Sequence, residues 1–332
     1  MRKFLILLFI AVRCGTAAPE YKEIARIPIG GEGGWDILTI DDAARRLYLS
    51  HSTKVVVIDL NANKVVGEIS DTPGVHAFLA VPDAQRGYST NGRENKVSVV
   101  DLKTLKTIRK LEVGENPDAI TYDHKRGEVY VFNHSGKSMT VIDSRDAKVL
   151  ATVPLGGTPE FAAVDSAEGR VYVNLEDKSE VAVIDPARHE VIAHWPLAPG
   201  EEPTGLALDA ADQRLFVTCH NKLMEMLDTS SGKIVASVPI GTGVDGCAFD
   251  QASHLAFASC GEGVTVIAKE NPPNDLSVAQ ILKTQRGART IALDPKTHRI
   301  YLPTADFGPP ASPNARPSIL PNTMRLLVYG PE

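Results

Sequence analysis

The sequence has little of what marks a nucleic-acid-binding protein or a membrane protein. Lys and Arg number 35 against 41 Asp and Glu, the net charge is −6, and only 6% of the 332 residues are aromatic. A nucleic-acid-binding surface combines a basic face with aromatic side chains on which bases stack. We therefore expect no nucleic-acid partner. No apolar run reaches the roughly 20 residues of a membrane-spanning helix, so no membrane span is expected.

Several catalytic motifs are also missing from the sequence. It contains no Walker loop, no Rossmann fingerprint, no Ser-centred nucleophile elbow, no Cys-x-x-Cys-His haem motif and no zincin helix. Nucleotide-dependent, haem-dependent and serine-hydrolase functions therefore have no support in the sequence.

The first residues predict export from the cytoplasm. Arg2 and Lys3 form a charged start, residues 4–12 are apolar, and residues 15–18 are small. This is the pattern of a secretory signal peptide, which we place at residues 1–18. A lipid anchor on Cys14 would need a small residue before it, and that position holds an arginine. We expect a periplasmic or secreted protein.

Cysteine is scarce, with three residues beyond the signal peptide: Cys219, Cys247 and Cys260. A hairpin centred on residues 252–255 would set Cys247 opposite Cys260, and opposed strand residues are close enough for a disulfide. We predict that pair. Cys219 would then be free, either as a small buried apolar residue or as a soft metal ligand with His220.

What the sequence does have is a repeat. A Val-Ile-Asp phrase or a close variant ends at Asp59, Asp101, Asp143, Asp185 and Asp228, at spacings of 42, 42, 42 and 43 residues. A fixed period near 42 residues indicates one supersecondary unit stacked many times. The aspartates are expected to be turn residues.

Each unit reads as four short strands separated by turn residues, as in residues 118–155. Four strands per repeat of about 42 residues is typical of a propeller blade. Seven units predict an all-β, seven-bladed β-propeller over residues 21–330, a single domain and a monomer.

Residues 22–30 match residues 233–241 nearly position for position, so the N-terminal strand should close the ring as the outer strand of blade 7. A Pro-rich insertion at residues 306–323 is either functional or disordered.

The strand that precedes each phrase carries a family resemblance. Tyr48-Leu-Ser-His51, Tyr88-Ser-Thr-Asn91 and Tyr130-Val-Phe-Asn133 resemble the Tyr-Val-Thr-Asn signature of the YVTN repeat family, exported propellers that include YncE-like proteins. Blades 4 to 7 depart from the signature, with Leu, Cys or Thr in place of the Asn. The resemblance implies the fold and leaves the function open, because propellers support many activities.

Ligands usually bind propellers on the face where the inner strands begin. Those strands should open with Asp36, His76, Asp118, Glu160, Thr204, Asp245 and Arg289. Four carboxylates around a narrow channel would repel one another unless His76, Arg289, a bound cation or a cationic ligand neutralises them. Alternatively, each acid caps backbone amides of its own loop. The candidate ligands for a divalent metal, the one cofactor suggested, are Asp36, His76, Asp118, Glu160 and Asp245.

Further residues should surround this ring, and Arg286 together with Arg289 suits a carboxylate or phosphate. The full set of predicted ligand-binding residues is Trp35, Asp36, His51, His76, Asp118, His134, Glu160, Asn174, Glu176, His220, Asp245, Arg286 and Arg289; candidate catalytic residues are His76, Glu160 and His220. The remaining histidines, expected to be ordinary surface or edge residues, are His124, His189, His194, His254 and His298.

Three functions remain open. The first is a propeller that binds a small ligand or a protein partner on the channel face. The second is a metal-assisted hydrolase, lactonase or lyase that acts on a sugar acid or ester at the same face. The third, from the family resemblance, is a structural or adhesive protein of the cell surface. The sequence leaves open whether the protein is an enzyme.

Overall fold

The structure is a computed structural model that describes residues 18–310, 312 and 317–332. The predicted signal peptide, apart from Ala18, lies outside the described residues. So do Cys14 and, within the Pro-rich insertion, residues 311 and 313–316.

The chain begins with strand β1 (Tyr21–Pro28) and then forms the first three blades. Blade 1 contains β2 (Trp35–Asp41), β3 (Arg46–His51), β4 (Lys54–Asp59) and β5 (Lys64–Ile69). Blade 2 contains β6 (Val75–Val81), β7 (Arg86–Asn91), β8 (Lys96–Asp101) and β9 (Lys106–Glu112). Blade 3 contains β10 (Pro117–Asp123), β11 (Glu128–Asn133), β12 (Ser138–Asp143) and β13 (Lys148–Pro154).

Four more blades follow. Blade 4 contains β14 (Pro159–Asp165), β15 (Arg170–Leu175), β16 (Glu180–Asp185) and β17 (Glu190–Pro196). Blade 5 contains β18 (Pro203–Asp209), β19 (Arg214–Cys219), β20 (Leu223–Asp228) and β21 (Lys233–Pro239). Blade 6 contains β22 (Val244–Asp250), β23 (Leu255–Cys260), β24 (Val264–Asn271) and β25 (Asp275–Lys283). Blade 7 contains β26 (Ala292–Asp294), β27 (Arg299–Thr304) and β28 (Arg325–Pro331). The described residues also contain three short 3₁₀ turns, at Pro82–Ala84, Gly92–Glu94 and Glu176–Lys178.

Each blade is a four-stranded antiparallel sheet, and the seven sheets form a ring, which confirms the predicted fold. In blade 1, Trp35 at the start of the inner strand pairs with His51 at the end of the second strand. Inner-strand starts and the loops between second and third strands therefore share one side, the channel face. The turns after the first and third strands share the other side, the turn face.

The Val-Ile-Asp aspartates are turn residues, as predicted. The Asp59 Oδ1 atom accepts hydrogen bonds from the backbone N–H groups of Asn61 at 2.8 Å and Ala62 at 2.7 Å. The side chain thus holds the chain reversal into the outer strand. The same bonds recur in other blades, as at Asp143 with the N–H groups of Arg145 and Asp146.

The N-terminal strand closes the ring. Strand β1 pairs antiparallel with β28, from Tyr21 opposite Pro331 to Pro28 opposite Arg325, and so becomes the fourth strand of blade 7. The Tyr21 ring is buried edge-on against Phe257 of blade 6, with centroids 5.2 Å apart. Its hydroxyl donates to the carbonyl oxygen of His298 at 2.7 Å. Closure therefore depends on packing between blades as well as on strand pairing.

The predicted disulfide is wrong. The hairpin pairs Asp250 with Leu255, and this register sets Cys247 opposite Ala258. Cys260 lies opposite Val244, so the two thiols are not partners. Cys219, Cys247 and Cys260 are all free and buried. Burial raises the pKa of the Cys219 and Cys260 thiols to about 12, which favours the neutral form.

Among the described residues, no helix is long and apolar enough to cross a membrane.

Replacement of Tyr21 tests the closure of the ring. We expect Tyr21→Ala to lower the free energy of unfolding by about 3–5 kcal/mol, the range for loss of a large buried aromatic side chain. Ile24→Ala is the matched control, because Ile24 lies on the same strand with 42% of its surface exposed, and we expect it to cost less than about 0.5 kcal/mol. Denaturant unfolding measures both. Equal effects of the two substitutions would contradict the anchoring role of Tyr21.

Candidate functional site

The first part of the site is a carboxylate–imidazole group at the channel mouth. Its members open the inner strands of blades 1 to 3. The His76 Nδ1 atom lies 2.7 Å from the Asp36 Oδ2 atom and 3.7 Å from the Asp118 Oδ2 atom. All three side chains are partly buried, with exposed fractions between 16% and 27%. One imidazole therefore bridges two carboxylates of the predicted ring.

A second group continues around the mouth. The His134 Nε2 atom lies 3.2 Å from the Glu160 Oε1 atom and 3.8 Å from the Glu176 Oε2 atom. Glu176 in turn lies 3.9 Å from the His220 Nδ1 atom, which is 3.4 Å from Glu202. Acids and imidazoles thus alternate from blade 3 to blade 5.

The third part pairs Asp245 with Arg289. The Arg289 Nε atom donates to the Asp245 Oδ2 atom at 2.6 Å, and its Nη2 atom donates to the carbonyl oxygen of Trp35 at 3.2 Å. The guanidinium also lies over the Trp35 ring, 5.8 Å from its centroid, as a cation–π contact. This arginine precedes its inner strand, which begins at Ala292 and not at Arg289 as predicted.

All four ring acids have a nitrogen partner. His76 pairs with Asp36 and Asp118, His134 pairs with Glu160, and Arg289 pairs with Asp245. Within the described residues, no backbone N–H group donates to any of the four, so the bonding differs from the capping alternative. The repulsion expected from the sequence is therefore offset by protein side chains.

Protonation in the first group is strongly shifted. Burial disfavours the charged imidazole of His76, but the hydrogen bond to Asp36 and the charge of Asp118 outweigh it and raise the pKa of His76 to about 9. Burial raises the pKa of Asp118 to about 8, despite the opposing charge of His76 and with the added repulsion of Asp36. The group therefore retains extra protons near neutral pH.

Burial and neighbouring charges also shift the pKa values in the second and third parts of the site. Hydrogen bonds to Glu160 and Glu176 raise the pKa of His134 to about 10, while the bond to His134 lowers the pKa of Glu176. Burial raises the pKa of Glu160. Burial also raises the pKa of Asp245 to about 7, although Arg289 opposes the shift. Perturbed carboxyls in a cleft are typical of functional sites.

A cavity of about 620 Å³ opens beside this ring, within the range of small-molecule pockets. The apolar part of its lining, which we call the apolar wall, contains the Trp35 ring packed against Phe307, with centroids 6.2 Å apart, and Ile319 beside them. The polar part, which we call the polar wall, contains His220, Asp245, Arg286 and Arg289. The two parts adjoin, because the Arg289 guanidinium lies over the Trp35 ring. A smaller cavity of about 300 Å³ adjoins it and is lined in part by Asp36, His76, Arg93 and Asn116.

Two predicted ligand-binding residues are buried away from the cavities. His51 is 1% exposed and packs beneath the loop at Gly31, which lowers the pKa of its imidazole through burial. Asn174 is fully buried, and its side-chain N–H group donates to the carbonyl oxygens of Thr204 and Gly205 at 2.8 and 3.1 Å. Asn174 therefore joins blade 4 to blade 5. Thr204, also expected in the ring, is 2% exposed, and its hydroxyl donates to the carbonyl oxygen of Val244 at 3.4 Å.

Sequence reasoning missed the contribution of the Pro-rich insertion. Phe307 and Ile319 form an isolated β-bridge, and with Pro317 they supply much of the apolar wall. The available signal was a lone aromatic residue, together with Ile319 and Leu320, in a Pro-rich loop. The described part of this insertion is thus ordered against the cavity.

The predicted set of five metal ligands separates into smaller groups. Asp36, His76 and Asp118 offer ligand atoms within 4.8 Å of one another, and so do His134, Glu160 and Glu176. Asp245 belongs to neither group and pairs with Arg289. Either group has the donor types that divalent cations accept.

Comparison with known proteins supports the fold and leaves the chemistry open. No family model matches the chain. A 96-residue segment is 27% identical to the uncharacterized protein YncE of Salmonella typhi and 26% identical to that of Salmonella typhimurium. The segment covers 28% of this chain and 27% of each relative, so the match spans about a quarter of the relatives' length.

A solved structure extends the comparison to most of the chain. The hydrazine synthase of Kuenenia stuttgartiensis superposes with a TM-score of 0.71, over 82% of this chain and 92% of that chain. The sequence identity is 18%, so this likeness concerns the fold alone. Together, the YncE matches and the seven-bladed ring fit the family of YncE-like propellers.

The protonation of His76 gives a pH-dependent prediction. A raised pKa in the folded state means that His76 stabilises the fold below about pH 6.5, its unfolded pKa, and that this contribution is lost as the pH rises through about 9. His76→Gln should therefore lower the free energy of unfolding by about 1–3 kcal/mol at pH 6.5, and the deficit should shrink by pH 10.

Denaturant unfolding at the two pH values measures this difference. His124→Gln is the control, because His124 is exposed on the turn face, and it should change little at either pH. A His76→Gln deficit that is equal at pH 6.5 and pH 10 would show that the charge of His76 is not what stabilises the mouth.

Proposed function

We propose that the channel face binds a small organic molecule that carries an anionic group next to an apolar part. The observation that carries this proposal is that the lining of the 620 Å³ cavity combines two aromatic rings with two guanidinium groups. The apolar part would pack on Trp35 and Phe307. The anionic group would contact the arginine side, because guanidinium groups bind carboxylates and phosphates in a fixed planar geometry.

The two arginines have different roles in this proposal. Arg289 is already committed to Asp245 and to the face of Trp35, so it fixes the shape of the polar wall. Arg286 is exposed, and within the described residues it has no ion pair. Its donors remain available to an incoming anion. Arg286 is therefore the residue that would recognise the ligand charge.

Asp245 would favour a ligand that carries a further polar group beside its anionic group. Its pKa is raised to about 7, so near neutral pH a large fraction of the molecules carries a protonated carboxyl at this position. A protonated carboxyl donates a hydrogen bond, and it does not repel an anion held by Arg286. The polar wall can thus accept an anion although four acids surround the mouth.

A metal-assisted hydrolase, lactonase or lyase is the second candidate. The observation in its favour is the pair of three-residue groups with ligand atoms within 4.8 Å, above all Asp36, His76 and Asp118. A divalent ion held there would polarise the carbonyl of an ester or lactone. To coordinate, His76 must first lose the proton that Asp36 and Asp118 stabilise, so binding would compete with protons and strengthen as the pH rises.

We also infer that the propeller of residues 21–330 is a single exported domain. Export is supported by the charged start and the apolar stretch within residues 1–18 and by the resemblance to the YVTN repeat family. A periplasmic or secreted monomer is the simplest reading of these features. N-terminal sequencing of protein recovered from the periplasm or medium tests the export.

Calorimetric titration with benzoate tests the ligand proposal, since benzoate joins a carboxylate to an aromatic ring. We expect the wild type to bind benzoate, and inorganic phosphate more weakly because phosphate has no apolar part. Arg286→Gln should weaken benzoate binding by about tenfold or more, from loss of a charged hydrogen bond. The matched control is Arg145→Gln, because Arg145 is exposed on the turn face. Equal affinity in the wild type and Arg286→Gln, or no binding by the wild type, would contradict the proposal.

A further inference from the structure

The turn face carries a separate group of acids, at the junction of blades 5 and 6. Asp209, Asp212, His254 and Glu270 each offer one ligand atom, and these four atoms all lie within 4.8 Å of one another. The sequence predicted His254 to be an ordinary surface residue, and the structure instead places it among three carboxyl groups. The group lies on the face opposite the proposed ligand site.

Part of the group belongs to a contact that several blades share. The aspartate that ends an inner strand caps its turn with one oxygen and directs the other to the turn of the next blade. Asp250 does so toward His298, at 2.9 Å between Oδ2 and Nδ1, whereas Asp294 accepts hydrogen bonds from Arg45 on both oxygens. In blade 5, Asp209 caps the N–H group of Ala211 at 2.9 Å, and its Oδ2 atom lies 3.9 Å from the His254 Nδ1 atom.

Glu270 is the addition that makes this junction different. Its N–H group donates to the carbonyl oxygen of His254 at 2.9 Å. The residues in the corresponding place of blades 1 to 5, directly after the Val-Ile-Asp position, are Leu60, Leu102, Ser144, Pro186 and Thr229. Among blades 1 to 6, an acid occurs here only in blade 6.

Two oxygens of the group lack a hydrogen-bond donor. Asp209 and Glu270 are fully buried, and within the described residues neither the Asp209 Oδ2 atom nor the Glu270 Oε1 atom receives a hydrogen bond. Unpaired buried carboxylate oxygens are costly, and native structures rarely leave them so. A ligand that accepts electron pairs would remove this cost.

The protein offers one nitrogen for three acids. The His254 Nδ1 atom lies 3.3 Å from Glu270, 3.6 Å from Asp212 and 3.9 Å from Asp209, and it can donate to only one of them. Arg214, two residues after Asp212, uses its donors on Asp228 and on the loop at residues 273–274. In the described part of the chain, no Lys or Arg forms an ion pair with any of the three acids.

We propose that this group binds one divalent transition-metal cation, Mn²⁺ or Zn²⁺. Three carboxylates and a neutral imidazole coordinating through Nδ1 are a donor set that such borderline cations accept. The cation would supply the missing partner of both orphan oxygens. It would also tie the first turn of blade 5 to blade 6, so its role would be structural, independent of the ligand site on the channel face.

Calorimetric titration of the chelator-treated protein with Mn²⁺ and with Zn²⁺ tests the proposal. We expect one cation per chain and a rise of several degrees in melting temperature when it binds. Glu270→Gln keeps the shape of the side chain but removes its charge, and His254→Ala removes the nitrogen donor. Each should weaken binding by at least about tenfold, and should reduce the thermal shift accordingly.

Two control variants separate this site from its neighbours. His298→Ala disrupts the equivalent Asp–His contact at the next junction, which has no added glutamate, and should leave affinity unchanged. A His76→Ala, Glu160→Gln double variant disables the candidate groups at the channel mouth, and it too should retain the cation. A wild type that binds neither metal at millimolar concentration overturns the proposal. So does a wild type whose binding is abolished by the channel-mouth variant and unaffected by Glu270→Gln.

Discussion

Convergence of seven inner strands on one axis is the constraint on which the channel face depends. Each strand brings its first residues to the same narrow opening, so side chains far apart in sequence become neighbours. Four of them are acids, and burial at the mouth makes unbalanced charge costly. The structure meets this cost with His76, His134 and Arg289, each within hydrogen-bonding distance of one ring acid. The result is a mouth whose charge depends on protonation.

The same convergence is stabilised by polar contacts between neighbouring blades. The Thr90 hydroxyl of blade 2 donates to the carbonyl oxygen of Asp118 at 2.6 Å, and the Thr290 hydroxyl of blade 7 donates to that of Asp36 at 3.1 Å. Ser259 makes the equivalent bond to the carbonyl oxygen of Arg289 at 2.5 Å. These bonds hold the backbone of the residues whose side chains form the ring. The acids are therefore fixed in position from below, which is what a preorganised site requires.

The fold could be predicted from the sequence because it depends on local and repeated signals. The period of the Val-Ile-Asp phrase defined the blades, and the match between residues 22–30 and 233–241 identified the closing strand. The ring acids followed from their place at the start of each inner strand. The number of strands, their order and the channel face needed no side-chain detail.

What could not be predicted depends on loop conformation and on single-residue register. The turn of the blade 6 hairpin pairs Asp250 with Leu255, so Cys247 lies opposite Ala258 and not opposite Cys260. Phe307 reaches the cavity only because the insertion folds back through its bridge with Ile319. The pairing of His134 with Glu160 likewise depends on how one loop meets the next blade. Such contacts form between different strands and loops, whereas the repeat in the sequence predicts mainly the structure within each blade.

Departures from the repeat are therefore the best guide to chemistry in this molecule. Where a blade keeps the common residue, as at Asp143, the side chain serves its own turn. Where one blade carries an acid that the other blades lack, the side chain reaches a neighbour: Glu176 contacts two histidines of adjacent blades, and Glu270 joins the acids of blade 5. The other blades pack without an acid at the corresponding position. A buried acid therefore adds a desolvation cost and contributes nothing to the hydrophobic core. An acid that occurs at such a position in one blade alone therefore points to a contact that the fold itself does not require.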